Sequence, residues 1–254
     1  MRRGSDNVSS IDGLLQCSRY SFGPNRLHYC GPDATREMLD YLNYGRGDAG
    51  LGILLKAFRT LYPYLFFIAR QNRIRDPFDP RVVEAYWIGN ELLERAGKKE
   101  FYTHLRDEHA IPKLIGRNDF SMIEAKIVHG ALPHHSFHVC NIWKRTGNES
   151  SAHTLESMDS CRISWGRIRN IDGPALFVET EPLAISQNRL MLGEGVIKKI
   201  IRPLDSPQHI DECAVGDTIS IHWNIPCEVL TSRQVQNVRA YTLQSIRFAN
   251  QHYS

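Results

Sequence analysis

The chain has 254 residues, a net charge of +3, 42% hydrophobic and 23% charged residues, which is ordinary globular composition. This length can bury a real core in one large domain or two smaller ones. The charge is too small for a dedicated nucleic-acid binder, which argues against nucleic acid as a partner.

The apolar residues predict neither a membrane span nor a secretion signal. The longest apolar run lies around Leu61–Ala69, contains Pro63, and is far shorter than the roughly 20 residues that a spanning helix needs. The six cysteines form no CxxC pair. We therefore expect a cytoplasmic protein with reduced thiols and no membrane partner.

The first half of the chain is predicted to be mostly helical. Residues 1–34 carry turn signals and are expected to be irregular. Asp79-Pro80 is a helix start, with a capping acceptor followed by proline in the first turn. Helical spacing or capping predicts helices over 34–44, 51–62, 81–96, 100–109 and 118–128.

The pattern changes after Pro133. Residues 135–144 are rich in aromatic and β-branched side chains and predict a strand. Residues 146–160 are polar and predict a linker. Further strands are predicted over 161–170, 175–181, 189–201 and 218–223, with Asp172-Gly173 as a hairpin turn, and a final helix is predicted from the Thr231-Ser232 cap to Asn250.

These elements predict an α+β fold. A mainly helical domain, residues 1–145, would end in the histidine-rich strand. The linker 146–160 would lead to a small OB-like β-barrel with a C-terminal helix, residues 161–254.

Two segments of the last hundred residues resemble a known family. CRISWGRIRNIDGPALFV begins at Cys161, and VGDTISIHWNIPCEVL contains His222. Together they resemble the HypC/HupF chaperones of NiFe hydrogenase maturation. The first segment has a cysteine, a glycine and an Asp-Gly turn between two strands, and the second has Gly-Asp before a strand that contains a histidine. Two departures are that Cys161 is internal instead of following the initiator Met, and that Trp165 replaces the usual proline.

The resemblance implies a HypC-like barrel in which Cys161 binds iron, with His222 nearby. In that family the cysteine holds iron while an iron–cyanide–carbonyl group passes between HypD and the hydrogenase large-subunit precursor. A HypD-like scaffold or such a precursor would then be the protein partner. Thiolate and imidazole also suit zinc or nickel. A structural role in the barrel core remains open for both residues.

A second candidate metal site lies in a cluster of histidines. His129, His134, His135, His138 and Cys140 fall within twelve residues. On the predicted strand His134, His138 and Cys140 face one side, so they could supply three ligands to one metal ion. Two alternatives remain: rings that merely bond to their neighbours, or a combined site in which the cluster faces Cys161.

The sequence thus supports three hypotheses. The first is a non-enzymatic assembly chaperone for a metalloenzyme that binds or relays iron through Cys161. The second is a metal-dependent enzyme that uses His134, His138 and Cys140. The third is a metal-free module that binds protein or nucleic acid.

Overall fold

The computed structural model describes residues 12–142, 144–148, 151–202 and 212–251. The predicted α+β class is confirmed: a helical N-terminal part precedes an antiparallel sheet and a C-terminal helix. What was expected of residues 1–11 lies outside the described residues. The helices are α1 Gly13–Arg26, α2 Thr35–Tyr44, α3 Ala49–Lys56, α4 Leu61–Gln71, α5 Pro80–Trp87, α6 Lys98–Thr103, α7 Ile111–Ile115, α8 Arg117–Val128, α9 His135–Ile142, α10 Leu155–Cys161 and α11 Ser232–Ala249.

Helix α1 replaces the irregular segment expected before residue 34. The Asp12 carboxylate caps it by accepting the N–H of Leu14 at 2.9 Å. Gly23 and Pro24 lie in its last turn, so this turn signal falls inside the helix, whereas residues 27–34 are irregular as expected. Most of α1 is buried, and this tertiary burial outweighs the weak local preference.

Helix α5 begins as predicted but ends earlier. Asp79 caps it and Pro80 is its first residue, whereas the helix stops at Trp87 instead of Ala96. Gly89 adopts a φ of +96°, which breaks the helix, and a 3₁₀ helix, Glu91–Arg95, follows. A π-helical turn, His104–Glu108, follows α6.

Helix α9 contradicts the predicted strand over 135–144. Every residue of His135–Ile142 is buried. A helix surrounded by protein needs no polar face, so its sequence lacks the helical period that would have distinguished it from a strand. It packs against α11, where the Ser136 and Thr242 hydroxyls lie 3.1 Å apart and the Asn141 amide donates to the Ser245 carbonyl at 3.1 Å.

The C-terminal part forms an antiparallel sheet with the strand order β5-β2-β1-β6-β7 and a separate β3-β4 hairpin. The predicted turn at Asp172-Gly173 joins β1 to β2. Among the described residues no pairing joins β5 to β7, so the expected barrel is not closed. The strands are β1 Ser164–Asp172, β2 Ala175–Thr180, β3 Leu183–Ser186, β4 Arg189–Leu192, β5 Val196–Ile201, β6 Thr218–His222 and β7 Ile225–Val229.

Three details of the C-terminal part differ from the sequence prediction. The segment 189–201 is two strands, β4 and β5, and β3 and β7 were not predicted. Part of the expected linker is helix α10, and Cys161 ends that helix instead of starting a strand. The last helix is as predicted, with a capping box at Thr231.

The main hydrophobic core draws on both parts of the chain. Phe22 and Tyr86 from the helical part pack in one cluster with Trp165, Cys227 and Phe248 from the C-terminal part. The division at residues 146–160 therefore remains a prediction. Within the described residues, no single helix is long and apolar enough to cross a membrane, and only α3 and α4 together, bent by 107°, have the length and composition to do so.

Candidate functional site

Three separate elements bring His135, Cys161 and His222 together. His135 is the first residue of α9, Cys161 the last of α10, and His222 the last of β6. One nitrogen of each ring and the Cys161 sulfur all lie within 4.8 Å of one another. This is the only set of three or more potential metal ligands found among the described residues.

The ring of His222 is held in one orientation and one tautomer. Its Nδ1 donates to the carbonyl oxygen of Tyr20 at 2.6 Å. Because a carbonyl only accepts, Nδ1 carries the proton and Nε2 carries the lone pair. Nε2 is buried with no hydrogen bond of acceptable geometry to any described residue, and the nearby Cys161 backbone partly offsets the fall in the ring's pKa that burial causes. Metal-bound histidines commonly show this arrangement, with one ring N–H on a carbonyl and the other nitrogen toward the ion.

The ring of His135 is held as the other tautomer, with its proton on Nε2. Its Nε2 donates to the carbonyl oxygen of Cys161 at 2.7 Å, so its lone pair lies on Nδ1, which accepts from the Tyr86 hydroxyl at 3.0 Å. Burial lowers the pKa of His135 well below its usual value, and it lowers the pKa of His222 to about 4. Both rings are therefore neutral near pH 7, which is the form that binds metal.

The Cys161 thiol is a poor nucleophile in this environment. Burial raises its pKa well above the ordinary value, and the nearby Cys30 thiol adds to the rise. Arg145 and the indole N–H of Trp223 oppose it. A protonated thiol does not suit nucleophilic catalysis at neutral pH, whereas a coordinating metal ion deprotonates a thiol outright.

Aromatic rings enclose the three side chains. The Trp87 ring centre lies 4.6 Å from that of His135 and 5.4 Å from that of His222. Trp223 packs on Tyr29 with ring centres 4.6 Å apart. An apolar enclosure of this kind limits water access and strengthens electrostatic interactions within a site.

The turn after His222 is strained and closely packed. Trp223 and Asn224 have φ values of +50° and +60° and form the two-residue turn between β6 and β7. A bulky residue with positive φ is uncommon and costs about 1–3 kcal/mol. Helix α1 approaches this turn so closely that a Cβ on Gly23 would lie 2.7 Å from the His222 carbonyl oxygen.

A buried polar network lies behind His222. The Tyr20 hydroxyl donates to the Glu228 carboxylate at 2.7 Å, and Arg19 pairs with the same carboxylate at 3.4 Å. Burial raises the pKa of Glu228, and the contacts with Tyr20 and Arg19 counteract that rise. This network fixes Tyr20, whose carbonyl oxygen orients His222, so it supports the ring from behind.

The three side chains lie in the wall of a pocket with about 660 Å³ of empty space, including its open mouth. Phe58, Val139 and Trp223 contribute apolar wall. Cys30 also lies in this wall, with a pKa that burial raises to about 11. Gly147 covers Cys30 closely, because a Cβ there would lie 2.5 Å from the Cys30 sulfur.

The structure does not bring the predicted set His134, His138 and Cys140 together. Residues two apart on a helix point to nearly opposite sides, so α9 separates His138 from Cys140. The His134 ring stacks on Tyr241 with 5.3 Å between centres. Cys140 packs in a small apolar cluster with Leu183, where burial raises its pKa.

His138 belongs to a second histidine cluster. Its Nδ1 bonds with the Tyr64 hydroxyl at 2.9 Å and its Nε2 with the Thr146 hydroxyl at 2.7 Å. Nearby, the Nε2 atoms of His104 and His109 lie 3.1 Å apart. Hydrogen bonds to neighbours therefore use both nitrogens of His138, as one of the sequence alternatives expected. The remaining member of the sequence cluster, His129, is exposed at the end of α8, where its Nδ1 lies 2.8 Å from the Ala125 carbonyl oxygen.

Sequence reasoning singled out Cys161 and His222 and missed His135 as the third partner. His135 stood within the noted cluster, but a strand would direct it away from His134 and His138. Of the histidine cluster, His135 alone lies in this group with Cys161, and a combined metal site stays a prediction.

Residues 9–254 match the model of a family of unknown function, DUF6390, and the chain belongs to that family. No curated protein and no solved structure matches the chain. The family description gives no activity and lends no support to the HypC resemblance.

Proposed function

We propose that the chain binds a first-row transition metal ion through His135, Cys161 and His222, and that it serves as an accessory protein in the assembly of a metalloenzyme. The observation that carries the proposal is the convergence of three ligand atoms within 4.8 Å from three separate elements. The orphaned, correctly oriented Nε2 of His222 supports it independently.

The ligand types indicate which metals to expect. Two imidazoles and a thiolate suit iron, zinc and nickel, and do not suit magnesium or calcium. With three protein ligands a tetrahedral ion keeps one position for another group, whereas structural zinc sites use four protein ligands. The site thus favours an exchangeable ion over a purely structural one.

The accessory role follows from the resemblance at Cys161 and His222. Under this proposal the metal is iron, which is held transiently and passed to a hydrogenase large-subunit precursor or received from a HypD-like scaffold in the cytoplasm. The six free cysteines suit a reducing compartment. The pocket mouth leaves a path for ligand exchange.

A second candidate is a metal-dependent enzyme with the same three ligands in place of His134, His138 and Cys140. The pocket next to the ligands favours it, because catalytic metal sites keep an open position beside a substrate cavity. The two candidates differ in how firmly the metal is held: an enzyme retains its ion through turnover, while an assembly protein releases it to an acceptor.

The test is elemental analysis of protein purified without oxygen, for the wild type, Cys161→Ala and Cys140→Ala. We expect about one metal ion per wild-type chain, its loss in Cys161→Ala, and its retention in Cys140→Ala, whose thiol is buried outside the site. Metal that resists Cys161→Ala, or its absence from all three proteins, contradicts the proposal. Absence from all three would favour the metal-free binding module.

Transfer then separates the two candidates. Metal-loaded protein is mixed with a chelator that absorbs when it takes up metal, and the release rate is followed. Release within minutes supports the accessory role. Retention over many hours contradicts that role and favours the enzyme.

A further inference from the structure

Arg145 lies beside the candidate metal site in a fixed position. Next to it Lys144 forms an antiparallel bridge with Ala152, and the Arg145 N–H donates to the Ser151 carbonyl at 2.9 Å. Its guanidinium carbon lies 4.3 Å from the Tyr29 ring centre and 5.4 Å from that of Trp223. Stacking on two rings holds the cation in place and leaves the edge of the guanidinium available.

This guanidinium has no anionic partner in the part of the chain that the structure describes. Its Nε is buried without a hydrogen bond. Two other largely buried arginines have carboxylates: Arg19 pairs with Glu228 at 3.4 Å and Arg162 with Asp159 at 2.8 Å. An unpaired, partly buried cation is unfavourable, and an anionic ligand would compensate for it.

The pocket walls carry positive charge without a carboxylate. Arg59, Lys144 and Arg145 contribute to the walls, and no Asp or Glu is among the described lining residues. The Lys144 ammonium already donates to the Leu114 carbonyl at 2.7 Å, and Arg59 is exposed. Arg145 therefore stands out as the cation placed for a bound anion, and it lies in the same pocket wall as His135, Cys161 and His222.

We propose that the pocket takes a small monocarboxylate, with one oxygen at the metal ion's fourth position and the carboxylate paired with Arg145. This inference rests on the proposed metal site. A planar guanidinium matches a carboxylate better than any other common anion except phosphate. A carboxylate oxygen is also an ordinary ligand for zinc and iron.

The apolar walls define the rest of the ligand. Phe58, Trp87 and Val139 offer no partner for a second charge. A short alkyl chain would be accommodated there, whereas a second carboxylate would lose its hydration without compensation. The pocket should therefore prefer acetate or propionate to malonate.

The experiment uses the full chain loaded with cobalt(II), whose visible absorption reports changes in its ligands. Acetate is titrated into the wild type, Arg145→Gln, Arg145→Lys and the rim variant Arg59→Gln. We expect a saturable spectral change in the wild type, and acetate affinity about tenfold weaker or more in Arg145→Gln, as loss of a charge-assisted pair predicts. Arg145→Lys should lie between the two, and Arg59→Gln, which removes a solvent-exposed charge at the rim, should weaken acetate binding far less than Arg145→Gln.

Two results would overturn the inference. If cobalt binds at one ion per chain but acetate leaves the spectrum unchanged, or affects wild type and Arg145→Gln equally, the carboxylate ligand is wrong and the metal site stands. If neutral acetamide changes the spectrum as acetate does, charge recognition is wrong. Failure of the wild type to bind cobalt contradicts the metal site itself, and the inference with it.

Discussion

The described part of the chain contains two buried histidine clusters, and their differences separate a proposed ligand set from a structural network. In the first, His135 and His222 converge with Cys161, and the Nε2 of His222 has no hydrogen-bond partner among the described residues. In the second, His138 uses both ring nitrogens on Tyr64 and Thr146. Both clusters are buried and neutral, so burial alone does not identify a metal site.

The number of available lone pairs is what distinguishes the clusters. A ring whose N–H is fixed on a carbonyl presents its other nitrogen to a ligand, as at His222. A ring whose two nitrogens are both hydrogen-bonded, as in His138 and also in His135, must give up one hydrogen bond before it can bind a metal ion, so the distinction rests on His222. The first cluster also contains the Cys161 thiol, while both His222 and His138 lie in the wall of the same pocket.

The largest expected effect comes from removing one ring from each cluster. His222→Ala should weaken zinc affinity at least a hundredfold, because it removes a ligand, whereas His138→Ala should change it by less than about threefold. Competition with a zinc-binding dye measures both. Equal losses in the two variants would erase the distinction between the clusters.

Acid should destabilise the metal-free protein through the histidines of the second cluster. Burial lowers the pKa of His109 to about 4 and that of His104 to about 2. A neutral buried histidine contributes stability that is complete above its unfolded pKa of about 6.5 and is lost as pH falls toward the folded value. Between pH 6.5 and 4, each such ring should therefore lower the unfolding free energy by about 1.4 kcal/mol for every unit by which the pH falls.

Urea unfolding of His109→Gln against pH checks this expectation. Between pH 6.5 and 4 the unfolding free energy of the variant should fall less steeply with acidification than that of the wild type. The difference in slope should correspond to about one bound proton. His28→Gln is the matched control, since His28 is exposed, and it should follow the wild-type slope. An unchanged slope in His109→Gln would show that this ring is not buried in its neutral form.

The smallest expected effect comes from Gly23→Ala, which acts on the first cluster from behind. The new Cβ would lie 2.7 Å from the His222 carbonyl oxygen, so α1 or the β6–β7 turn must shift. We expect a loss of roughly 1–3 kcal/mol in unfolding free energy and a severalfold loss of zinc affinity. Gly45→Ala, at a helix end with open space around it, should leave zinc affinity unchanged.

Local signals predicted much of the fold. The caps at Asp79 and Thr231 and the turn at Asp172-Gly173 were correct because each depends on a few adjacent residues. Helix α9 was not predictable in this way, since its complete burial removed the helical period. Helix α1 was missed because Gly23 and Pro24 in its last turn resemble a loop.

The candidate site was predictable only in part, for a related reason. Cys161 and His222 were identified through a family resemblance, but their proximity depends on packing between residues sixty-one positions apart in sequence. The choice of His135 over His138 depends on helix geometry, which a strand interpretation reverses. The incorrect strand assignment thus favoured His134, His138 and Cys140 over His135, which is the residue that lies beside Cys161 and His222.

X-ray absorption at the zinc edge of the zinc-loaded chain identifies the atoms bound to the metal ion. We expect one sulfur at about 2.3 Å and two imidazole nitrogens at about 2.0–2.1 Å, with a fourth light atom from solvent or ligand. In Cys161→Ser the sulfur signal should disappear while the imidazole signals remain. A first shell without sulfur, or one with several sulfurs, would contradict the assignment of His135, Cys161 and His222 as the metal ligands.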